Sequence, residues 1–443
     1  GFSFRTQDLQ FVTEEGQHWP GGNVALSWTG AEGGGTAQGE LQADRLDLGA
    51  LGQVASRLPL GAAAHAALAA HAPRGFVETL YARWQGPLDA VQKYEVRGRA
   101  RGLEVASRPG AEGHAGVPGV RGAAVEFDFT QAGGRAKVSI QQGELDFPGV
   151  FEEPVLPVDS LQADMHWQVD GEALALNVGS LKFSNADARG EAQASWRTAD
   201  PKAGGARFPG VLDLQGTLTE ADGTRVWRYL PTGVPKQARD YVRSSVLAGT
   251  APGTKFRVRG DLHHFPFRAG APGEFLVQAP VRDVTFAYVP RSVQDGPAWP
   301  ALTGLAGQLV FRGAGMEVQG VQGKVLGAAR LQVAADARIA DFHDSVVEVQ
   351  GRIQGPVSES LGVVNTSPVK RMLNDALARA TGTGNAEVGL RLSLPLAHLD
   401  RSQVQGSVTL AGNDVQISPD SPLLTRARGA VQFSEKGFQL AGV

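Results

Sequence analysis

The chain of 443 residues contains no cysteine. That excludes a disulfide framework, thiol catalysis and cysteine-ligated zinc, and it fits either a reducing cytosol or a periplasm free of stray thiols. An excess of charge of either sign is lacking too: 42 Lys+Arg against 45 Asp+Glu give a formal charge of −3, which argues against a nucleic-acid binder. No stretch approaches the roughly 20 apolar residues of a membrane-spanning helix. The nearest candidate, Leu58 to Ala72, is alanine-rich, interrupted by His65 and His71 and bounded by Pro73, and predicts a soluble helix. Catalytic signatures are missing as well: there is no nucleophile elbow, no His-Glu-x-x-His, no P-loop and no dinucleotide-binding glycine motif. The expectation is a protein that is not an enzyme and needs no cofactor or metal.

What is present is glycine and alternation. The 58 glycines are roughly twice the usual share, and apolar residues make up 42% against 20% charged, so the chain folds rather than staying disordered. Period-two patterning recurs from end to end, the mark of strands with one greasy and one wet face. Val24, Leu26 and Trp28 alternate with polar or small neighbours, as do Met165, Trp167 and Val169, Phe256 and Val258, and Leu390, Leu392 and Leu394. A phrase of polar or small residue, glycine, any residue, apolar residue opens many strands, as in Gln38-Gly39-Glu40-Leu41, Gln142-Gly143-Glu144-Leu145 and Gln405-Gly406-Ser407-Val408. Where the glycine shares the parity of the apolar residues it sits on the apolar face and lets the sheet bend toward it. The same glycines would also suit ordinary bulges in a closed sandwich.

Three helical interruptions are expected. The first is the alanine-rich run followed by an amphipathic stretch with Phe76, Leu80 and Trp84. The second starts at Pro235 and runs through Ala238, Tyr241, Val242 and Val246 to Gly249. The third is capped by Ser367-Pro368 and carries the stripe Val369, Met372, Leu373, Ala376, Leu377 and Ala380 up to Gly382. The last two form an internal repeat: each meets a Gly-Thr pair, Gly249-Thr250 or Gly382-Thr383, and then a strand in which glycine stands six residues before proline, Gly260 to Pro266 and Gly389 to Pro395. The predicted fold class is mainly β: an elongated, continuous, twisted antiparallel sheet curled into a hydrophobic groove, with a few short amphipathic helices. It is expected as one continuous body over 1–443 with approximate modules 1–150, 151–300 and 301–443. The start at Gly1 and the alternation still under way at Phe438, Leu440 and Val443 predict a segment of a longer chain.

Several clusters invite chemistry and are better read as structure. His263 and His264 beside Asp261 point to opposite faces if they lie on a strand. Asp341, His343, Asp344 and Ser345 crowd one loop, whereas triad members come from separated segments. Trp227-Arg228-Tyr229-Leu230-Pro231, the densest aromatic and basic cluster, would place Arg228 at a lipid headgroup or a partner, or serve as a packing plug that seats the second helix; the plug is favoured.

The run Trp227 to Pro231, the helix with Ala238-Arg239-Asp240-Tyr241-Val242, Gly260-Asp261-Leu262 with Phe265-Pro266-Phe267, Trp299-Pro300 and Ser367-Pro368 together resemble the YhdP branch of AsmA-like proteins. The resemblance is most specific between Leu212 and Leu396. It implies an envelope protein of a Gram-negative bacterium, held in the inner membrane by an N-terminal helix that lies outside this chain. It further implies a long periplasmic body of repeated strands that moves phospholipid toward the outer membrane, with an outer-membrane or envelope partner reached by a C-terminal part also outside this chain. Parity selects the groove candidates Val125, Phe127, Phe129, Trp167, Phe256, Val258, Phe275, Val277, Phe286, Leu309 and Phe311. If roughly half the residues form strands of about eight, on the order of 30 strands spaced by ~4.8 Å would extend roughly 140 Å. The alternatives are a structural envelope scaffold whose apolar face is sealed on itself, and a carbohydrate-active or adhesin-like β-solenoid. The solenoid would need clustered carboxylates or aromatic platforms on the wet face, and the sequence offers neither.

Overall fold

Alternation becomes antiparallel strand along most of the chain. The computed structural model describes residues 1–441 other than 13, 15, 17, 31–35, 56–64, 67–68, 70–71, 88–89, 112–114, 201–206, 269, 295 and 436. Two compact units emerge: Gly1–Gly216 with Arg228–Gly233 and Asp261–His263, and Thr217–Trp227, Val234–Gly260 and His264–Val443.

The first unit contains β1 (Phe2–Thr6), the hairpin β2 (Gln10–Val12) and β3 (His18–Pro20), β4 (Val24–Thr29), β5 (Gln38–Asp47), α1 (Leu48–Ala55), β6 (Arg74–Gln85), β7 (Lys93–Val105), β8 (Gly119–Thr130), β9 (Gly133–Asp146), β10 (Val155–Asp170), β11 (Ala173–Ser184) and β12 (Ala188–Arg197). From β4 onward each strand pairs antiparallel with the next through to β12, and β1 pairs with β4. The strand β13 (Val211–Ala221) spans the division between the units.

The second unit holds α2 (Lys236–Ser245), β14 (Val246–Thr250), β15 (Thr254–Asp261, its last residue assigned to the first unit), β16 (Gly273–Phe286), β17 (Leu302–Arg312), β18 (Gly315–Val325), β19 (Ala328–Ile339), β20 (Val346–Pro356), α3 (Val357–Thr366), α4 (Val369–Met372), β21 (Thr381–Gly382), β22 (Asn385–Pro395), β23 (Gln403–Gln416), β24 (Leu424–Ser434) and β25 (Gly437–Ala441). Pairing again follows sequence order, β15 to β20, then β22 to β25. The strands of neither unit close into a barrel, and apart from the β2–β3 hairpin every described strand is hydrogen-bonded into the main sheet. The predicted class, mainly β and antiparallel with few short helices, is the one observed.

The internal repeat is visible in the pairing. After α2 the short β14 pairs with β16, and after α4 the short β21 pairs with β23, so in each copy a short strand extends the ladder where the intervening strand ends. The helix expectations fare unevenly. The alanine-rich helix expected over 58–72 falls outside the described residues, apart from His65, Ala66 and Ala69, which are helical. Phe76, Leu80 and Trp84 lie on strand β6, not on a helix, because a spacing of four suits period two as well as period 3.6. The second helix ends at Ser245 rather than running to Gly249: Val246 is drawn into pairing with Phe286, and the Ala287 N–H donates to the Ser245 carbonyl at 2.8 Å.

The third differs most. The helix there is α3, ahead of Ser367, and the expected stripe yields the single turn α4 before Asn374 and Asp375 adopt φ of 51° and 60°. Met372 stays 67% exposed, and an apolar spacing with no surface to cover does not sustain a helix.

Candidate functional site

Register turns alternation into faces. In the first unit one row of directly opposed residues reads Phe4, Leu26, Leu41, Ala82, Val96, Phe129, Gly134, Trp167, Leu176 and Trp196. The next row on the same face reads Val24, Ala43, Leu80, Gly98, Phe127, Ala136, Met165, Val178 and Ala194. A third runs Leu46, Val77, Ala100, Val125, Val138, Ala163, Leu181 and Ala192. None of these rows contains a charge. The first crosses ten strands, and nine spacings of ~4.8 Å make it roughly 43 Å long.

The second unit repeats the pattern. Phe256, Val277, Phe311, Met316, Ile339, Val347 and Leu394 form one row, and Gly323, Val333, Ile353, Val388, Val408 and Val431 another. All eleven residues singled out by parity lie on these apolar faces and all are half-buried. Val125, Phe127, Phe129 and Trp167 sit together in the first unit, with ring centroids 5.8 Å apart for Phe127–Phe129 and 6.1 Å for Phe129–Trp167. Phe256, Val258, Phe275, Val277, Leu309 and Phe311 occupy β15 to β17 in the second. Phe286 keeps its side because a bulge between Val281 and Val284, with Asp283 at φ 52°, shifts the parity of β16.

Glycines fit these faces in a way that sequence could not show. A Cβ on Gly39 would lie 2.1 Å from the ring of Trp84, its cross-strand partner, and one on Gly406 would lie 2.2 Å from the ring of its partner Phe433. The absent side chain is replaced by a neighbour's aromatic ring, which keeps the apolar surface continuous.

Helices cover one strand end of each face. In the first unit Ala50 of α1 is buried with Ala43, Leu46, Val77 and Ala100, and in the second Val363 of α3 packs on Val325, Ala328, Leu331 and Val333. Away from these ends the apolar faces mix buried positions such as Ala136, Ala163, Ala192 and Ala279 with half-buried ones.

The opposite faces are polar. Arg83–Glu95, Arg99–Glu126, Arg135–Asp128 and Arg121–Glu144 pair across neighbouring strands at 3.4, 3.5, 2.9 and 2.9 Å. Two open cavities lie on this side: one of 1310 Å³ lined by Arg5, Gln42, Arg97, Asp128, Arg135 and His166 in the first unit, and one of 1100 Å³ lined by Gln322, Arg352, Ser407 and Gln432 in the second. A twisted sheet is saddle-shaped, so each face is concave along one diagonal.

The clusters that invited chemistry are local turns or clamps. Asp341 accepts the His343 backbone N–H at 2.8 Å and meets its Nδ1 at 2.9 Å, bonds that hold the Asp341 carboxyl below the usual range, while Ser345 Oγ donates to the Phe342 carbonyl. Asp261 holds His263 in the same manner. Arg228, in the first unit, donates to Asp187 at 2.6 Å and Glu153 at 2.8 Å. Desolvation would lower its pKa, but the charges of Asp187 and Glu153 outweigh that and raise it. Tyr229 donates to the same Asp187 carboxylate and accepts from Asn185 Nδ2, both at 2.9 Å. Trp227, in the second unit, is buried beneath the Arg243 guanidinium of α2, 4.2 Å from the ring centroid. Arg228 is thus consumed by partners, as the packing-plug reading expects.

Among the described residues no helix is long and apolar enough to cross a membrane and no group of acidic or histidine side chains is arranged to hold a metal. Among known proteins, no curated sequence and no solved structure gives a match. A family model does, described as YhdP protein and matching residues 1–443. With its whole length covered, the chain belongs to the YhdP family.

Proposed function

We propose that this chain is a periplasmic segment of a bridge-like lipid transport protein, in which the apolar faces shield phospholipid acyl chains between the inner and outer membranes of a Gram-negative envelope. The observation that carries this reading is the set of uncharged rows, mostly half-buried or buried, running strand to strand through each unit. A diacyl lipid with roughly 30 methylenes would face about 25 kcal/mol if its tails entered water, at ~0.8 kcal/mol per methylene. A continuous greasy surface removes that barrier while the headgroup stays hydrated, and no bond is broken. The apolar sites on this surface are Val125, Phe127, Phe129 and Trp167 in the first unit and Phe256, Val258, Phe275, Val277, Phe286, Leu309 and Phe311 in the second. The membranes are reached through an N-terminal anchor and a C-terminal part of the parent protein.

A photocrosslinking amino acid at Phe127 or Phe256 in cells should yield phospholipid adducts, whereas the same group at Glu126 or Lys255, on the wet faces, should not. Adducts of equal yield from both faces, or from neither, would refute the proposal. A sealed envelope scaffold predicts the second result.

A further inference from the structure

The apolar face of the first unit is not uniform along its strands. Tryptophan and tyrosine gather at the strand ends opposite α1. Trp28 and Trp84 flank Gly39 on one row that ends at Tyr94, and Trp167 and Trp196 lie on the next. Ring contacts join parts of the group: Tyr94 meets Phe129 edge-on at 6.2 Å and Phe129 lies 6.1 Å from Trp167, while Trp196 stacks on Phe208 at 6.0 Å and Trp28 lies 6.1 Å from Phe2. Four of the chain's seven tryptophans thus line one margin of one face.

The two ends differ in hydrogen-bonding capacity. Trp196 Nε1 donates to the Pro209 carbonyl at 2.8 Å, but the indole N–H groups of Trp28 and Trp84 are buried with no acceptor among the described residues. A buried donor without a partner is rare. At the other end Leu46, Ala123 and Ile140 are almost wholly buried, 2%, 1% and 1% exposed; α1 packs with Leu46, and Ala123 and Ile140 pack with Val158. Amphipathic rings with an apolar body and one N–H or O–H belong where hydrocarbon meets water.

We propose that this aromatic ledge is the headgroup-side margin of the apolar face: the glycerol-ester and phosphate oxygens of a diacyl phospholipid lie along Trp28, Trp84, Trp167 and Trp196, and its tails run toward α1. The inference rests on the lipid-shielding reading and adds to it a fixed orientation. The face is deep enough. From Trp167 to Val158 along β10 is nine residues, or ~30 Å, whereas one acyl chain reaches about 15 Å, half of a bilayer's hydrocarbon core. The reverse orientation would press a hydrated phosphate into the dry clusters at the α1 end of the strands, so desolvation disfavours it.

The test is tryptophan fluorescence of the full chain loaded with phosphatidylcholine carrying a nitroxide quencher either on the headgroup or near the end of one acyl chain. Trp167→Phe and Trp196→Phe variants assign the signal by difference, and the circular dichroism of each variant reports its fold. The expected result is stronger quenching by the headgroup probe, with that excess lost in the variants. Equal or stronger quenching by the acyl-end probe would overturn the orientation. If neither probe quenches while mass spectrometry still finds bound phospholipid, the ledge is wrong and the lipid-shielding reading stands. If neither probe quenches and no lipid is bound, that reading itself fails.

Discussion

An arginine at Phe256 separates a lipid-bearing surface from a closed core. Phe256 is half-buried and begins a row shared with Val277 and Phe311. Fully burying such a side chain is worth about 1.5–3 kcal/mol, so losing a half-buried ring costs roughly 1–2 kcal/mol. The arginine stem lies along the apolar surface and its guanidinium reaches water. The reference variant is Leu331→Arg, at a position 2% exposed beneath α3. There the lost burial adds to an unpaired buried charge of about 3–5 kcal/mol, for a total near 5–7 kcal/mol. At about 2–4 °C per kcal/mol for a body of this size, Phe256→Arg should lower Tm by roughly 2–8 °C and Leu331→Arg by well over 10 °C. Thermal melts by circular dichroism check this. Lipid mass spectrometry and lipid exchange between vesicles should show Phe256→Arg folded but depleted of phospholipid and slow in transfer. Two results would refute the reasoning: a Tm loss at Phe256 as large as at Leu331, which would make the face a closed core, or a folded Phe256→Arg protein with unchanged lipid.

Filling the glycine notches should be costly. Gly39→Val and Gly406→Val force a side chain into the Trp84 and Phe433 rings, 2.1 and 2.2 Å from the new Cβ, and should each cost about 1–3 kcal/mol by overpacking in urea denaturation, with Gly39→Val partly rescued by Trp84→Leu. Arg228→Ala strips the cation from Asp187, whose side chain is 6% exposed, and should cost about 3 kcal/mol by the same measurement; Arg228→Ala/Asp187→Asn should recover most of it, and failure to recover would deny the pair its role. Burial pushes Tyr229 and Tyr288 up to about 12 from an ordinary value of 10. Raised folded-state values mean stability is intact below pH 10 and lost as pH rises toward 12, because the unfolded chain ionises first. Tyrosinate absorbance during alkaline unfolding should show this, with a shallower loss in Tyr229→Phe; an unchanged slope would contradict it.

Alternation was legible because an antiparallel sheet wetted on one side writes its faces into neighbouring residues. That is why eleven side chains chosen by parity share the apolar faces. Parity does not reveal where bulges fall: between Val281 and Val284 the apolar set passes from odd to even numbers, and only Asp283 at positive φ marks the place. Pairing across the sheet was equally hidden. That Gly39 makes room for the ring of Trp84, or that Arg228 finds Glu153 and Asp187, depends on contacts 45, 75 and 41 residues apart in sequence. The aromatic ledge escaped notice for the same reason, since Trp28, Trp84, Trp167 and Trp196 each come from a different strand and align only once register is set. The misplaced third helix has a different cause. Spacing identifies a stripe, but whether a stripe folds depends on what it can cover, and α3 has Leu331 and Val333 beneath it whereas Met372 has water.

The two faces divide the energetics of the sheet unequally. Ion pairs such as Arg99–Glu126, with both side chains 59% exposed, each contribute little in water. Their alternation of sign from strand to strand does something else: Arg97 and Arg99 of β7 face Asp128 and Glu126 of β8, which face Arg135 and Lys137 of β9, so charge cancels locally. The apolar rows carry no charge at all, and their buried clusters include α1 in the first unit and α3 in the second, beside a further cluster of Ala123, Ile140 and Val158. A sandwich would spend the remainder of such a surface on a second sheet. Here the strands continue pairing sideways instead, so each added strand lengthens the apolar surface without burying it. On the lipid-shielding proposal, acyl tails are a partner whose burial would grow in the same proportion, residue row by residue row, with a headgroup that needs nothing from the side that the ion pairs occupy.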